Sequence, residues 1–188
     1  LDRVIESDHR INLLEMQLDE ECNHIIAKRQ PTAVDLRLVM TVIRSISDLE
    51  RIGDEAKKIA KAAKRLHGTD MPFSPRVELG YSANLALEML RNALDGFARA
   101  DASSLASIKT QDAEVDANFK GTMRQLITFM MEDPRTITNS LELLFIAKSI
   151  ERIGDHAKNI AEFVVFLVQG SDVRYEKSVA MDALNKAS

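Results

Sequence analysis

The sequence predicts an all-α fold: a tandem repeat of two antiparallel three-helix bundles, with the first helix of the first bundle absent. Three observations predict it. Leu, Ala, Ile, Met, Glu, Lys and Arg dominate the 188 residues, and most of these are strong helix formers. Seven Gly and four Pro supply few breaks, so long helices are expected. Finally, ERIGDEAKKIA at 50–60 returns as ERIGDHAKNIA at 151–161, identical at nine of eleven positions. A repeat at so long a period marks a duplicated supersecondary unit.

Five helices follow from pattern and punctuation. The first covers about 1–28, and Pro31 opens a second over about 32–66. HGTDMPFSP at 67–75, with one Gly and two Pro, is the clearest break. A third helix is expected to take Ser74 as N-cap and Pro75 as its first residue. Its Ala83, Leu87, Leu90, Leu94 and Phe97 follow the 3-4 spacing of a bundle face. DASS at 101–104 leads into a fourth helix ending near Glu132, and DPRT at 133–136 opens a fifth that runs to about Gly170. The resulting division is 1–68 for the first repeat, 69–74 for a linker, 75–170 for the second repeat and 171–188 for a tail.

The repeat also sets an alignment. Asp8 and Asp112 lie 104 apart, Pro31 and Pro134 lie 103 apart, and the two blocks lie 101 apart. Helices one and two therefore match helices four and five, and the third has no partner in the first half. With Leu at position 1, the expectation is an upstream helix of roughly 30 residues by this repeat arithmetic.

Bulk composition narrows the functional classes. A net charge of −4 disfavours a nucleic-acid partner. The most basic stretch, KKIAKAAKR at 57–65, reads as a solvated helix end complementing the dipole. The single Cys22 excludes an internal disulfide and reads as a small core residue. No apolar run reaches the ~20 residues of a membrane span, so the expected address is cytoplasmic. Phosphate loops, nucleophile elbows and the HExxH zinc signature do not occur. Glu-x-x-His occurs as Glu6 with His9 and Glu21 with His24, both on the first helix, which argues against a ferritin-like di-iron enzyme.

Helical phase places the acids of the repeated block on the apolar stripe. Glu50 falls among Leu36, Val39, Ile43 and Ile46 on the wheel, with Asp54 one turn on. Glu151 and Asp155 stand in the same phase of their helix, and Asp112 with Asp116 lies in phase with Phe119, Met123 and Leu126. Like charges at i,i+4 cost ~0.2–0.5 kcal/mol, and an unpaired buried carboxylate costs more. Two such pairs on neighbouring helices could share a hard cation, since oxygen ligands suit Mg, Mn, Ca or Fe. The alternative is an ordinary ion-pair network through Arg51 or Lys57, and Arg152 in the second copy. Gly53 and Gly154 each cost a helix ~1 kcal/mol relative to Ala. Their recurrence in both copies points to close helix packing. His156 falls off the acid face and reads as a surface residue.

DLERIGDEAKKIA and SIERIGDHAKNIAE, set in a helical tandem repeat, resemble the PhoU family of phosphate-uptake regulators, from about Asp2 to Gly170. The resemblance implies six helices in two three-helix bundles, one more than this chain carries. It implies a cytoplasmic, homodimeric, non-enzymatic negative regulator of the phosphate-starvation response. Its partners would be the ATPase subunit of the phosphate ABC transporter and a phosphate sensor histidine kinase, with membrane contact only through them. The family's E(D)xxxD metal motif maps onto Glu50 with Asp54, Glu151 with Asp155, and Asp112 with Asp116. Asp8 with Asn12 departs from it through the neutral amide. The metal would be divalent or ferric, such as Mg, Mn, Fe or Zn, and held more tightly by the four-carboxylate second site. Two rival readings stand beside this one: a metal-dependent phosphate-ester hydrolase, and a helical scaffold that binds no metal.

Overall fold

A computed structural model of the chain describes residues 1–68 and 75–173. Among these, α1 spans Asp2–Arg29, α2 Ala33–His67, α3 Gly80–Arg99, α4 Leu105–Glu132 and α5 Ile137–Gln169. The long α2 and α5 pair at the centre, α1 packs on α2, and α3 and α4 pack on α5 and on each other. The core follows from α5, which buries Ile146, Ile150, Ile153, Ala157, Ile160 and Val164 along one stripe. No described helix is long and apolar enough to cross a membrane. The expected linker at 69–74, the Ser74 cap and the tail from 174 onward lie outside the described residues.

Local chemistry sets the ends of these elements. The Asp133 carboxylate accepts the Arg135 backbone N–H at 3.0 Å. A 3₁₀ turn, Pro134–Thr136, then feeds directly into α5. Gly170, at φ 76°, ends α5 in the left-handed conformation that glycine adopts at least cost. The start of α3 departs from expectation. Residues 75–79 are not helical, and α3 begins at Gly80. The Glu78 side chain accepts the Gly80 N–H at 2.9 Å and satisfies one of the open donors of the first turn. Pro75 is thus outside the helix rather than its first residue.

The two halves differ in one respect that the repeat makes visible. In the second, Met89 of α3 is fully buried and faces Gly154, where an added Cβ would stand 3.5 Å from it and 3.8 Å from Val115. The repeat maps Gly154 and Val115 onto Gly53 and Ile11. There Ile11 itself leans over the glycine, 3.0 Å from where a Cβ would sit. Among the described residues no counterpart of α3 packs there. Ile11, Leu14, Leu18, Ile46, Leu49 and Ile52 instead line an open apolar groove of about 420 Å³.

Candidate functional site

The repeated block projects its acids toward α1 in the first half and toward α4 in the second, and the same cation meets them both times. Lys57 Nζ stands 2.5 Å from Asp8 Oδ2 of α1 and 4.0 Å from Asp54 Oδ1 of its own helix. Lys158 Nζ stands 2.5 Å from Asp112 Oδ2 of α4 and 3.2 Å from Asp155 Oδ1. Each lysine lies three residues after the block's Asp, so one side chain reaches both acids across the helix–helix seam. The block is therefore ERIGDxxK in function as well as spelling. Lys57 was legible only as a surface partner, and Lys158 was not singled out.

The remaining acids divide unevenly. Glu151 is held by Lys148 Nζ at 2.6 and 2.7 Å, one turn before it on α5. The repeat puts Ser47 at the matching place on α2, so Glu50 lacks that partner. Burial raises the Glu50 carboxyl above its ordinary range, and the neighbouring Asp54, Glu15 and Asp8 charges raise it further. Asp8 is buried, and its Oδ1, like Asn12 Oδ1 one turn on, has no hydrogen-bond partner. Burial is also the main reason the Asp112 carboxyl is raised, Asp155 and Asp116 adding to it while Lys158 opposes. The Lys158 ammonium is raised: burial alone would lower it, but Asp112 and Asp155 together outweigh that. Asp116 is half-buried, while the Asp54 and Asp155 side chains sit at the rim, 44% and 45% exposed.

The arginines expected beside the acids make no ion pair with them, although the Arg51 charge slightly opposes the rise of the Glu50 carboxyl. Arg51 is exposed. Arg152 crosses to α2 and donates to Glu55 at 3.1 Å rather than to Glu151. His156 is also relocated: its Nδ1 lies 2.6 Å from Asp48 Oδ1, and both side chains are largely buried between α2 and α5. It is an inter-repeat contact and not a surface residue. Gly53 and Gly154 stand opposite Ile11 and Met89, as described above.

Whether a metal fits can be judged from the donors. Carboxylate and amide oxygens are the right chemistry for a hard cation, and Asp8 Oδ1 and Asn12 Oδ1 have no hydrogen-bond donor. Among the described residues, however, no three carboxylate, imidazole or thiol groups are grouped closely enough to hold an ion. In the present arrangement the ammonium stands where a cation would. An ion at the first site would be held by Asp8, Asn12, Glu50 and Asp54, with Lys57 displaced.

One consequence is testable with a neutral isostere. A carboxyl whose folded pKa is raised gives stability below its ordinary value near ~4.3 and loses it as pH rises through the raised value. Glu50→Gln should therefore raise the melting temperature at pH 7 and leave it unchanged near pH 3. The gain should be at most ~0.5 kcal/mol, because solvent screens this partly exposed group. Thermal melts across pH check this, and a loss at pH 7 would mean that Glu50 is ionised and partnered.

Duplicated long helices joined by lysine-bridged acid pairs define a class: an all-α tandem-repeat module whose charged seams clamp helix to helix. The PhoU domain matches this chain over residues 1–63 and 82–164, one match for each repeat. The chain belongs to the PhoU family. It is 48% identical over 187 residues to the phosphate-specific transport system accessory protein PhoU of Serratia marcescens, covering 99% of this chain and 76% of that one. The Escherichia coli (strain K12) protein of the same name is 46% identical over 183 residues, covering 97% and 75%. The crystal structure of PhoU from Pseudomonas aeruginosa superposes with a TM-score of 0.85 at 46% identity, covering 90% of this chain and 81% of that one. The phosphate transport system regulatory protein PhoU from Streptococcus pneumoniae gives 0.82 at 31% identity, covering 92% and 80%. The fold and the family expected from the paired ERIGD blocks are thereby established.

Proposed function

We propose that this chain is a non-enzymatic accessory protein of phosphate uptake, relaying the state of the phosphate ABC transporter to a sensor histidine kinase and holding the starvation response off. The observation that carries this reading is the ammonium that engages the acids at each site, Lys57 on Asp8 and Lys158 on Asp112. A carboxylate already engaged by an ammonium is a poor general base. The sites serve better as clamps between helices, in a molecule whose working parts are its surfaces. The names of the relatives, accessory and regulatory proteins of phosphate transport, support the same reading.

Metal is a ligand of the clamps in this account. The first site has one lysine, a raised glutamate and two unpartnered oxygens, whereas the second has both Lys148 and Lys158. Counting carboxylates favours the second site, but counting the charge left to neutralise favours the first. Asp8→Ala should therefore cost more Mn²⁺ affinity in calorimetry than Asp112→Ala, and the opposite order would restore the carboxylate count as the rule.

Co-purification tests the function. Tagged wild-type protein from phosphate-replete cells should retain the transporter ATPase and the kinase. The variant lacking the Glu50, Asp54, Glu151 and Asp155 carboxylates should lose one or both. Robust hydrolysis of phosphate esters by the wild type, abolished in that variant, would replace this reading with the enzyme.

A further inference from the structure

The basic end of α2 is not simply a solvated helix terminus. Lys58, Lys61 and Arg65 face Lys148 and Arg152 of α5 across a cleft of about 320 Å³. At its floor Glu55, 4% exposed, accepts from Lys58 at 2.8 Å and from Arg152 at 3.1 Å. Burial alone would raise the Glu55 carboxyl, but hydrogen bonds from Lys58 and Ser149 and the nearby cations outweigh it and hold it low. An ionised floor carboxylate fixes two cations in place before any ligand arrives. Arg65 is braced by Glu142 at 2.6 and 2.7 Å, and Lys148 by Glu151. Lys61 has no acidic partner among the described residues within ion-pair distance. Five cations against Glu55, Glu142 and Glu151 leave a local charge of +2, in a protein whose total is −4.

An aromatic ring completes the cleft. Phe145 lines it yet is 59% exposed, so a flat apolar face stands beside converging ammonium and guanidinium groups. The volume lies at the small end of the ~300–1,000 Å³ range of small-molecule sites. A surplus of two positive charges matches a ligand carrying two or more negative ones, and lysine with arginine is the usual means of holding phosphate. We propose that this cleft between α2 and α5 binds a small phosphorylated ligand with an aromatic ring, of the nucleoside-phosphate class. Lys61, Lys58 and Arg152 would engage the phosphates while Phe145 stacks on the ring.

The test is titration of ATP into the full chain in the presence of EDTA, so that no carboxylate-bound ion recruits the phosphates. Wild type should bind ATP saturably, and Lys61→Glu should weaken it roughly tenfold. Lys28→Glu, an equal change of net charge on the far part of α1, should leave it unchanged. Phe145→Ala should weaken ATP but not tripolyphosphate. Absence of saturable binding would overturn the proposal, as would equal losses from the Lys61 and Lys28 variants. A glutamate-rich peptide that displaces ATP at equal or lower concentration would assign the cleft to an acidic protein segment instead. An ATP affinity unchanged by Phe145→Ala would remove the aromatic ring from the ligand's description.

Discussion

Lys158→Met should lower the stability of the protein by about 2–3 kcal/mol, or roughly 5–10 °C in melting temperature. The substitution keeps the aliphatic stem and removes the charge, leaving Asp112 and Asp155 facing each other in a seam. Breaking a buried pair usually costs ~3–5 kcal/mol. The smaller figure applies because the Lys158 and Asp112 side chains are 24% and 15% exposed, so water relieves part of the penalty. The pH dependence carries a sign. Without its ammonium, Asp112 is raised further, and such a group stabilises only below its ordinary pKa. The deficit of the variant should therefore shrink as the pH falls through the carboxylate range. In the wild type the raised Lys158 contributes stability that is lost only at alkaline pH, above the ordinary lysine value. Mn²⁺ should restore part of the variant's melting temperature, because a cation binding only the folded state takes over the missing charge.

Met89→Ala should cost about 3 kcal/mol, and Leu14→Ala less than ~1 kcal/mol. The two positions do not match in the repeat: Met89 lies on α3, which has no partner in the first half, whereas Leu14 lies on α1, the match of α4. Met89 is fully buried where α3 crosses Gly154 and Val115, and truncation leaves a cavity that three helices cannot collapse into. Leu14 is 49% exposed on α1, which packs on α2 alone among the described elements. Little surface returns to water when it is shortened. The same asymmetry predicts that α1 amides exchange with solvent well before those of α3 or α5. Chemical denaturation of the two variants decides this, and equal losses would mean that α1 is as firmly docked as α3.

Much of this was legible because duplication doubles every signal. The five helices and the match of helices one and two with four and five follow from period and phase. The acids expected on the apolar stripe divide, with Asp54 and Asp155 at the exposed rim. What escaped depends on how helices cross, which phase on a single helix does not report. Lys57 and Lys158 occupy the same place in both copies, so their recurrence was a signal as strong as that of the acids. A lysine at that spacing is ordinarily a solvated residue, and only contact with α1 or α4 reveals its second acid. Asp48 and His156 carried no such signal. Their repeat partners are Ser149 and Glu55, so the contact changes identity between copies while keeping its position between α2 and α5. Pro75 misled because the proline rule identifies a place where a helix can begin, whereas Glu78 and Gly80 decide where this one does.

The most direct measurement is a double-mutant cycle on Asp112→Asn and Lys158→Met by chemical denaturation near neutral pH. A lysine that neutralises the acid across the α4–α5 seam requires a coupling energy of at least ~1.5 kcal/mol between the two sites. Losses that simply add, to within ~0.3–0.5 kcal/mol, would show that the ammonium and the carboxylate stabilise the fold independently and that the repeated block is not a charge clamp.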